Sequence, residues 1–267
     1  MLRRFHKMHG LGNDFAIFDA REAPLALAPA QVRAVADRNG GVGCDQVIVL
    51  EPSERADLRM RIWNADGGEV EACGNASRCV AALTGAARIE TGGGILAAIA
   101  EGGDATVDMG EPRFGWDAIP LAYPADTAAL PVGWEELERP AALNVGNPHL
   151  VFFVPDCDAV PLDRLGPVIE TDPLFPERIN VNVATVEAPG RIRLRVWERG
   201  AGLTRACGTG ACATAVAALR AGMATAPVTV RLPGGDLVIE WQAGGRIHMR
   251  GPATYVFAGE IDLERIG

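Results

Sequence analysis

Hydrophobic and polar residues alternate along two similar stretches of the chain, which predicts a half-buried β-strand in each. In residues 58–62 apolar residues alternate with arginines, and residues 192–196 repeat the pattern. A period of two sends successive side chains to opposite faces of a sheet. Residues 47–50 form a compact apolar run, and residues 181–183 repeat this signal in the second half. Each half of the chain is therefore expected to contain the same pair of strands.

Alanine-rich segments follow these strands and predict a helix in each half. Residues 76–83 and 211–219 are mostly alanine with valine and leucine, a composition of high helix propensity. Gly85 and Gly222 are suitable helix ends, and the slim side chains suit a helix enclosed by a curved sheet. A third, shorter helix is predicted at residues 29–37 from its single apolar face. Further short strands are expected at residues 95–99, 106–109, 228–232, 237–241 and 247–249.

The two halves of the chain are related by a sequence repeat. At an offset of 134 residues, seven of the sixteen positions in residues 59–74 are identical, and Cys73 aligns with Cys207. A chain of 267 residues is long enough for two domains of ordinary size. We expect one domain at residues 1–116 with 254–267 and the other at residues 117–253.

Charge and composition exclude several classes of partner. The formal net charge is −9 and basic residues form no long run, so neither nucleic acid nor an anionic membrane surface is an expected partner. The basic first residues are not followed by the apolar stretch of a signal peptide, and no apolar run reaches the length of about 20 residues that a membrane helix needs. Six cysteines are too few for a disulfide framework in a chain of this length. A cytoplasmic protein with a small-molecule ligand is expected.

Cys73 and Cys207 are each expected at the start of an alanine-rich helix. Unpaired backbone N–H groups and the positive end of the helix dipole favour an anion there. The thiol pKa should therefore be lowered, which makes thiolate accessible near neutral pH. Gly74-Asn75 and Gly208-Thr209 follow the cysteines and present N–H groups suited to a carboxylate. If the halves are related by a pseudo-twofold axis, the two thiols would face each other across a ligand.

Two opposed thiols suit inversion at a carbon next to a carboxylate. One thiolate removes the α-proton and the opposite thiol supplies a proton to the other face. Two bases are needed because a single base tends to return the proton to the side from which it came. The charge that develops on the carboxylate would be stabilised by the two helix N-termini in a site closed to water.

Several segments resemble the signature segments of the diaminopimelate epimerase family and occur in the same order across nearly the whole chain. They are residues 8–15, 43–46, 64–67, 73–75, 146–149, 177–180, 198–200 and 206–210. The resemblance implies an α+β fold of two similar domains, each a mixed β-sheet or barrel wrapped around a central helix, with the active site in the cleft between them. It also implies a cofactor-independent epimerase that interconverts L,L- and meso-2,6-diaminopimelate in lysine and peptidoglycan-precursor synthesis. A homodimer is expected as well.

The resemblance also implies a role for each matching residue. Cys73 and Cys207 would be the catalytic acid and base, and His149 and Glu198 match positions that tune the thiols. Ala76-Ser77 and Cys44 depart from the usual family pattern at positions outside these roles. The reacting carboxylate would be held by Gly74, Asn75, Gly208 and Thr209, the distal end of the substrate by Asn64, Asn147, Asn180, Glu198 and Arg199, and the pocket would be completed by Asn13 and Gln46.

Common cofactors fit these residues less well. The cysteine spacings lack the short pairs of zinc sites, and the four histidines form no cluster in the sequence. Residues 208–213 match a dinucleotide-binding pattern, but no predicted strand ends directly before them. No acidic residue lies between Cys207 and Asp236, so the acid that would bind a ribose is missing. Pyridoxal phosphate is disfavoured because the only lysine, Lys7, lies near the amino terminus. Neither a metal nor an organic cofactor is expected.

Two other functions remain compatible with the same residues. A related racemase could act on proline or hydroxyproline, although such a ligand would leave the distal polar side chains unpaired. A binding protein could have kept the cleft and lost the chemistry, although both cysteines are intact. The remaining cysteines Cys79, Cys157 and Cys212 are most simply small buried hydrophobes.

Overall fold

The structure is a computed structural model that describes residues 2–71 and 73–266, and the chain divides into two compact units. The first unit runs to Val107 and includes the segment that begins at Gly251, and the second unit is Asp108–Arg250. The predicted functional domains, with boundaries after residues 116 and 253, stay a prediction.

The elements follow one another in a repeated order. The first group consists of β1 (Leu2–Gly10), β2 (Asn13–Asp19), α1 (Pro29–Ala36), β3 (Gln46–Glu51), β4 (Leu58–Asn64), β5 (Glu69–Val70), α2 (Gly74–Thr84), β6 (Arg88–Thr91), β7 (Gly94–Glu101) and β8 (Asp104–Asp108). The second group consists of β9 (Gly133–Trp134), β10 (Leu137–Glu138), β11 (Ala141–Asn144), β12 (Pro148–Phe153), α3 (Leu162–Glu170), β13 (Asn180–Ala188), β14 (Arg191–Glu198), β15 (Gly202–Thr204), α4 (Gly208–Arg220), β16 (Val228–Leu232), β17 (Gly235–Glu240) and β18 (His248–Pro252). The last strand, β19 (Thr254–Asp262), pairs antiparallel with β1.

The two units share one strand-pairing scheme. In the first, β1–β2, β3–β4 and β6–β7 are antiparallel, whereas β2–β3 and β4–β6 are parallel. In the second, β11–β12, β13–β14 and β16–β17 are antiparallel, whereas β12–β13 and β14–β16 are parallel. Parallel neighbours need a crossover connection, and α2 and α4 lie in the equivalent crossovers. This confirms the predicted α+β class with two similar mixed-sheet units.

Helices α2 and α4 are the buried centres of their units. Almost every residue of α4 is buried, and α2 is buried over its first seven residues after Gly74. Alanine allows the approach: α4 packs on strands β11 to β14, β16 and β17, and α2 packs on β1, β7 and β19. Gly85 ends α2 with a φ of 72°, a left-handed conformation that glycine adopts without strain. The predicted central helices are therefore confirmed, and they begin directly after the two cysteines.

Helix α3 was not predicted from the sequence, because it contains two residues that normally interrupt helices. Gly166 and Pro167 lie inside it, and proline in particular disfavours a helix interior. Packing explains the glycine: a Cβ atom at Gly166 would lie 2.4 Å from Cδ2 of the Trp197 ring. The helix is held against strand β14 by this close approach. Among the described helices, none combines the length and the apolar character needed to cross a membrane.

Candidate active site

Cys207 lies at the N-cap of α4, as predicted, and is only 3% exposed. Its Sγ accepts a hydrogen bond from the backbone N–H of Gly210 over 3.3 Å and lies 3.6 Å from the hydroxyl oxygen of Thr209. Gly208, the first residue of the helix, is buried beside it. These neighbours form one end of what we call the Cys207 cluster, which is completed by Glu198, Thr204, His149, Asn147 and Asn182.

Glu198 ends strand β14 and brings a carboxylate against the Cys207 thiol. The strand pairing places Glu198 opposite Gly202, and the hydroxyl of Thr204 donates a hydrogen bond to Glu198 Oε1 over 2.5 Å. Burial raises the pKa of Glu198, while hydrogen bonds from Thr204 and Cys207 act in the opposite direction. The Glu198 carboxylate is thus partly enclosed and accepts hydrogen bonds from both a hydroxyl and a thiol.

The pKa of Cys207 is raised well above its usual value, which corrects the expectation of a readily formed thiolate at this helix. Burial is the largest cause and the charge of Glu198 the next, and together they outweigh the Thr209 and Gly210 hydrogen bonds that favour the thiolate. The helix N-terminus predicts the correct position for an anion, but desolvation decides the protonation state. Cys207 is therefore a neutral thiol in this state.

His149 is buried and holds Asn147 in place. Its Nε2 lies 2.8 Å from Asn147 Oδ1, and its Nδ1 lies 3.1 Å from Asn182 Nδ2. Because an amide nitrogen only donates, Nδ1 is the acceptor and Nε2 carries the proton. Burial lowers the pKa of His149 to about 3, which fits this neutral tautomer. The predicted tuning of a thiol by His149 stays a prediction, since the described hydrogen bonds of its ring are to Asn147 and Asn182.

Asn180 and Arg199 are joined at the end of the neighbouring strands. Asn180 Oδ1 accepts a hydrogen bond from the Arg199 backbone N–H over 3.0 Å, and its Nδ2 donates to the Pro148 carbonyl over 2.8 Å. The Arg199 guanidinium donates to the Glu177 carbonyl over 3.0 Å and is exposed. Asn180 therefore positions the turn that carries Arg199, and Arg199 keeps donors available to solvent or ligand.

Cys73 occupies the equivalent N-cap of α2 and is partly exposed. Its thiol donates to Asn13 Oδ1 over 3.9 Å, and Asn75 Nδ2 donates to the same oxygen over 3.1 Å. Gly74 is the first residue of the helix, so its position matches that of Gly208 in the second unit. Cys73, Gly74, Asn75 and Asn13 form the Cys73 cluster.

Gln46 and Asn64 form a second polar pair in the first unit. They lie opposite each other on strands β3 and β4, and Gln46 Nε2 donates to Asn64 Oδ1 over 2.9 Å. Among the described residues, the buried Oε1 of Gln46 has no hydrogen-bond partner. A buried acceptor without a partner is costly, so this oxygen is a suitable contact for a ligand ammonium group.

Sequence reasoning missed two residues of the Cys207 cluster. Asn182 interrupts an otherwise apolar buried run, and this polar residue between two valines was the available signal. Its Oδ1 is buried without a partner among the described residues, and it lies 2.7 Å from the position of a Cβ built on Gly210. Thr204 carries no comparable signal, because only the β14–β15 turn brings it to Glu198.

The fold is shared with solved structures that include an epimerase. Similar structures include a hydroxyproline epimerase from Agrobacterium vitis with bound trans-4-OH-L-proline, with a TM-score of 0.65 and 16% identity, covering 97% of this chain and 91% of that one. A Bacillus anthracis phenazine biosynthesis protein of the PhzF family has a TM-score of 0.69 and 16% identity, covering 98% and 99%. At these identities the likeness shows a shared fold.

Sequence comparison then gives the family. The model of the diaminopimelate epimerase family matches residues 5–115 and 141–256. A diaminopimelate epimerase from Rhizorhabdus wittichii is 67% identical over 266 residues, covering 99% of this chain and 97% of the relative. One from Sphingopyxis alaskensis is 64% identical and covers 100% of both chains. The chain belongs to the diaminopimelate epimerase family.

Proposed function

We propose that this protein interconverts L,L- and meso-2,6-diaminopimelate by a two-base mechanism that uses no cofactor, in lysine and peptidoglycan-precursor synthesis. One observation carries the proposal: Cys73 and Cys207 cap equivalent helices in a chain that is 67% identical to a diaminopimelate epimerase. Each cysteine is followed by the N–H groups of a helix start, which suit a carboxylate.

In the proposed reaction the two cysteines act on one α-carbon. The thiolate of one removes the α-proton, and the thiol of the other donates its own proton to the opposite face. One C–H bond breaks and one forms, and the two sulfurs exchange protonation states. The negative charge on the substrate carboxylate is stabilised by backbone N–H groups at Gly74, Asn75, Gly208 and Thr209.

The two clusters are proposed to divide the remaining tasks. Glu198 accepts a hydrogen bond from Cys207 and keeps it protonated, so Cys207 is the resting acid. Asn147, held by His149, and the exposed guanidinium of Arg199 contact the distal amino acid of the substrate, as do Asn64 and Asn180. Asn13 and Gln46 are proposed to contact the same substrate. A diamino diacid would use these groups, whereas a proline ring would not.

The test of this function is inversion in deuterated water. Purified protein given L,L-diaminopimelate should form the meso isomer with one deuterium at the inverted α-carbon, measured by mass spectrometry and chiral chromatography. Proline and hydroxyproline serve as control substrates in the same assay. Turnover of either control without exchange of diaminopimelate would reject the proposal, and binding without exchange of any substrate would favour a binding protein.

We further propose a cytoplasmic homodimer whose contact includes strand β19. Tyr255, Val256 and Phe257 are consecutive on this strand and are 48%, 51% and 46% exposed, and exposed apolar side chains of this kind occur at interfaces. The buried thiols Cys44, Cys79 and Cys157 are unbridged, which suits a reducing compartment.

Substituting Phe257→Asp should shift the protein from dimer to monomer, because it places a charge among the exposed apolar side chains of β19. Light scattering coupled to gel filtration measures the change, with the exposed Val168→Asp on helix α3 as the matched control. A wild-type mass of one chain at micromolar concentration would contradict the homodimer.

A further inference from the structure

Arg78 lies in helix α2 five residues after Cys73 and is completely buried. Arginine is rarely buried to this extent unless its donors are satisfied. Its Nη2 donates to Asn75 Oδ1 over 2.9 Å, and its Nε donates to the Pro252 carbonyl over 3.4 Å. Gly10 leaves room for it, since a Cβ there would lie 2.9 Å from Nη2. The first unit therefore encloses a cation next to the Cys73 cluster.

Arg78 begins a chain of hydrogen bonds with a fixed direction. Asn75 Nδ2 donates to Asn13 Oδ1 over 3.1 Å, and Asn13 Nδ2 donates to Asp45 Oδ2 over 3.0 Å. An amide can turn either edge to a neighbour, but guanidinium only donates and carboxylate only accepts. Arg78 at one end and Asp45 at the other therefore select the same orientation for both amides.

The selected orientation has a consequence for the ligand pocket. Each amide uses one N–H in the chain, so its second N–H remains to meet a substrate oxygen. If the side-chain amide of Asn75 or Asn13 turned over, its carbonyl oxygen would face the substrate carboxylate and repel it. Ordering these amides before binding also removes a cost that the substrate would otherwise bear.

We propose that Arg78 and Asp45 are positioning residues that fix the donor edges of Asn75 and Asn13 for the substrate. The inference rests on the proposed epimerase function and deepens it, because it assigns two residues that do not themselves touch the substrate.

The second unit argues against a purely structural role for Arg78. At the offset of the repeat, Arg78 aligns with Cys212 in α4, Asn75 with Thr209, and Asp45 with Ile179. Cys212 and Ile179 are fully buried, so the same helix and strand start form with a small thiol and an apolar residue at these places. The second unit thus forms this helix without an arginine, and it also has Thr209 in place of the amide of Asn75.

The experiment compares steady-state kinetics of Arg78→Met, Arg78→Lys and Asp45→Ala, and of the Arg78→Met/Asp45→Ala double variant, with diaminopimelate. Arg78→Met is expected to raise KM about tenfold or more, with a smaller change in kcat, because substrate binding loses ordered donors. Arg78→Lys should recover part of this loss, since it keeps one buried donor. Because both ends act through the same amides, the KM effect of the double variant should be smaller than the product of the single effects.

The matched control is Val80→Ala, which removes buried volume from the same helix without touching the amides. It should lower the melting temperature and leave KM unchanged, as a purely structural effect would. An Arg78→Met enzyme with the wild-type KM, or single effects that multiply in the double variant, would overturn the inference.

If Arg78→Met does not fold, Arg78→Lys and the partly exposed Asp45→Ala carry the test, and a wild-type KM in both would also overturn it. Inactivity of the wild-type enzyme with diaminopimelate would instead reject the proposed function, so the two failures are distinguishable.

Discussion

Cys73→Ala and Cys207→Ala are each expected to lose inversion of diaminopimelate by at least about 10³-fold, since each removes one of two proton carriers. Exchange of the substrate α-proton with solvent should be lost for only one isomer in each variant. An enzyme with one remaining thiolate can still remove the α-proton from the isomer that presents it to that side, and can return deuterium to the same face. Each variant should therefore exchange one stereochemical form without inverting it, and the two variants should exchange opposite forms.

The reciprocal pattern is measured by deuterium incorporation into L,L- and meso-diaminopimelate in separate reactions. Cys79→Ala and Cys212→Ala are the matched controls, because these cysteines are buried in the same two helices and are expected to leave turnover unchanged. Full inversion in either Cys73→Ala or Cys207→Ala would contradict the two-base mechanism. Exchange of the same isomer by both variants would contradict the assignment of the thiols to opposite faces.

The elements that the sequence predicts well are those with a strong local pattern. The alanine-rich segments predicted α2 and α4, and the alternation with arginine predicted β4 and β14, because composition and period depend on neighbouring residues alone. The repeat then predicted that the two units share one topology. Helix α3 escaped prediction because Gly166 and Pro167 oppose a helix locally, and only the ring of Trp197 explains the glycine.

The position of Cys207 in the candidate site could be predicted from the sequence, but the protonation state of its thiol could not. The sequence placed Cys207 at a helix start, where a thiolate is favoured. How deeply the sulfur is buried and how close Glu198 lies to it depend on the β14–β15 turn and on the packing of α4, which no local pattern encodes. These contacts raise the pKa of Cys207 well above its usual value. The burial of Arg78 likewise could not be predicted from a local pattern, because the space for its side chain is left by Gly10 on β1, which is distant in the sequence.

Glu198→Gln is expected to reduce kcat about 10²-fold while making the protein more stable at neutral pH, the rate loss being typical of an impaired proton-transfer step. The Glu198 carboxylate accepts a hydrogen bond from the Cys207 thiol, and its negative charge keeps the thiol protonated. The oxygen of a glutamine amide can still accept this hydrogen bond but carries no charge. Removing the charge also removes the second cause that raises the pKa of Cys207. The pH dependence of kcat should therefore shift to lower pH at its alkaline limb.

The stability gain follows from the direction of the Glu198 pKa. A carboxyl whose pKa is raised by folding contributes stability below its unfolded pKa of about 4.3, and that contribution is lost as the pH rises through the folded pKa. Glutamine does not ionise, so the melting temperature of Glu198→Gln should exceed that of wild type at pH 7 and approach it at acid pH. A variant less stable than wild type at pH 7 would show that the charge stabilises the fold.

A second buried glutamate provides the control for Glu198→Gln. It separates the effect of Glu198 from any general effect of replacing a buried glutamate with glutamine. Glu170 is buried in the same unit and accepts hydrogen bonds from Trp197 Nε1 over 2.7 Å and from the Gly200 N–H over 2.9 Å, and its carboxylate also lies 3.6 Å from Arg178. Glu170→Gln should therefore lower the melting temperature, because it weakens charged hydrogen bonds, and it should leave the pH dependence of kcat in place. If both variants moved the alkaline limb of kcat to lower pH, Glu198 would not be what controls Cys207, whereas this shift in Glu198→Gln alone ties the acidity of the thiol to its neighbouring carboxylate.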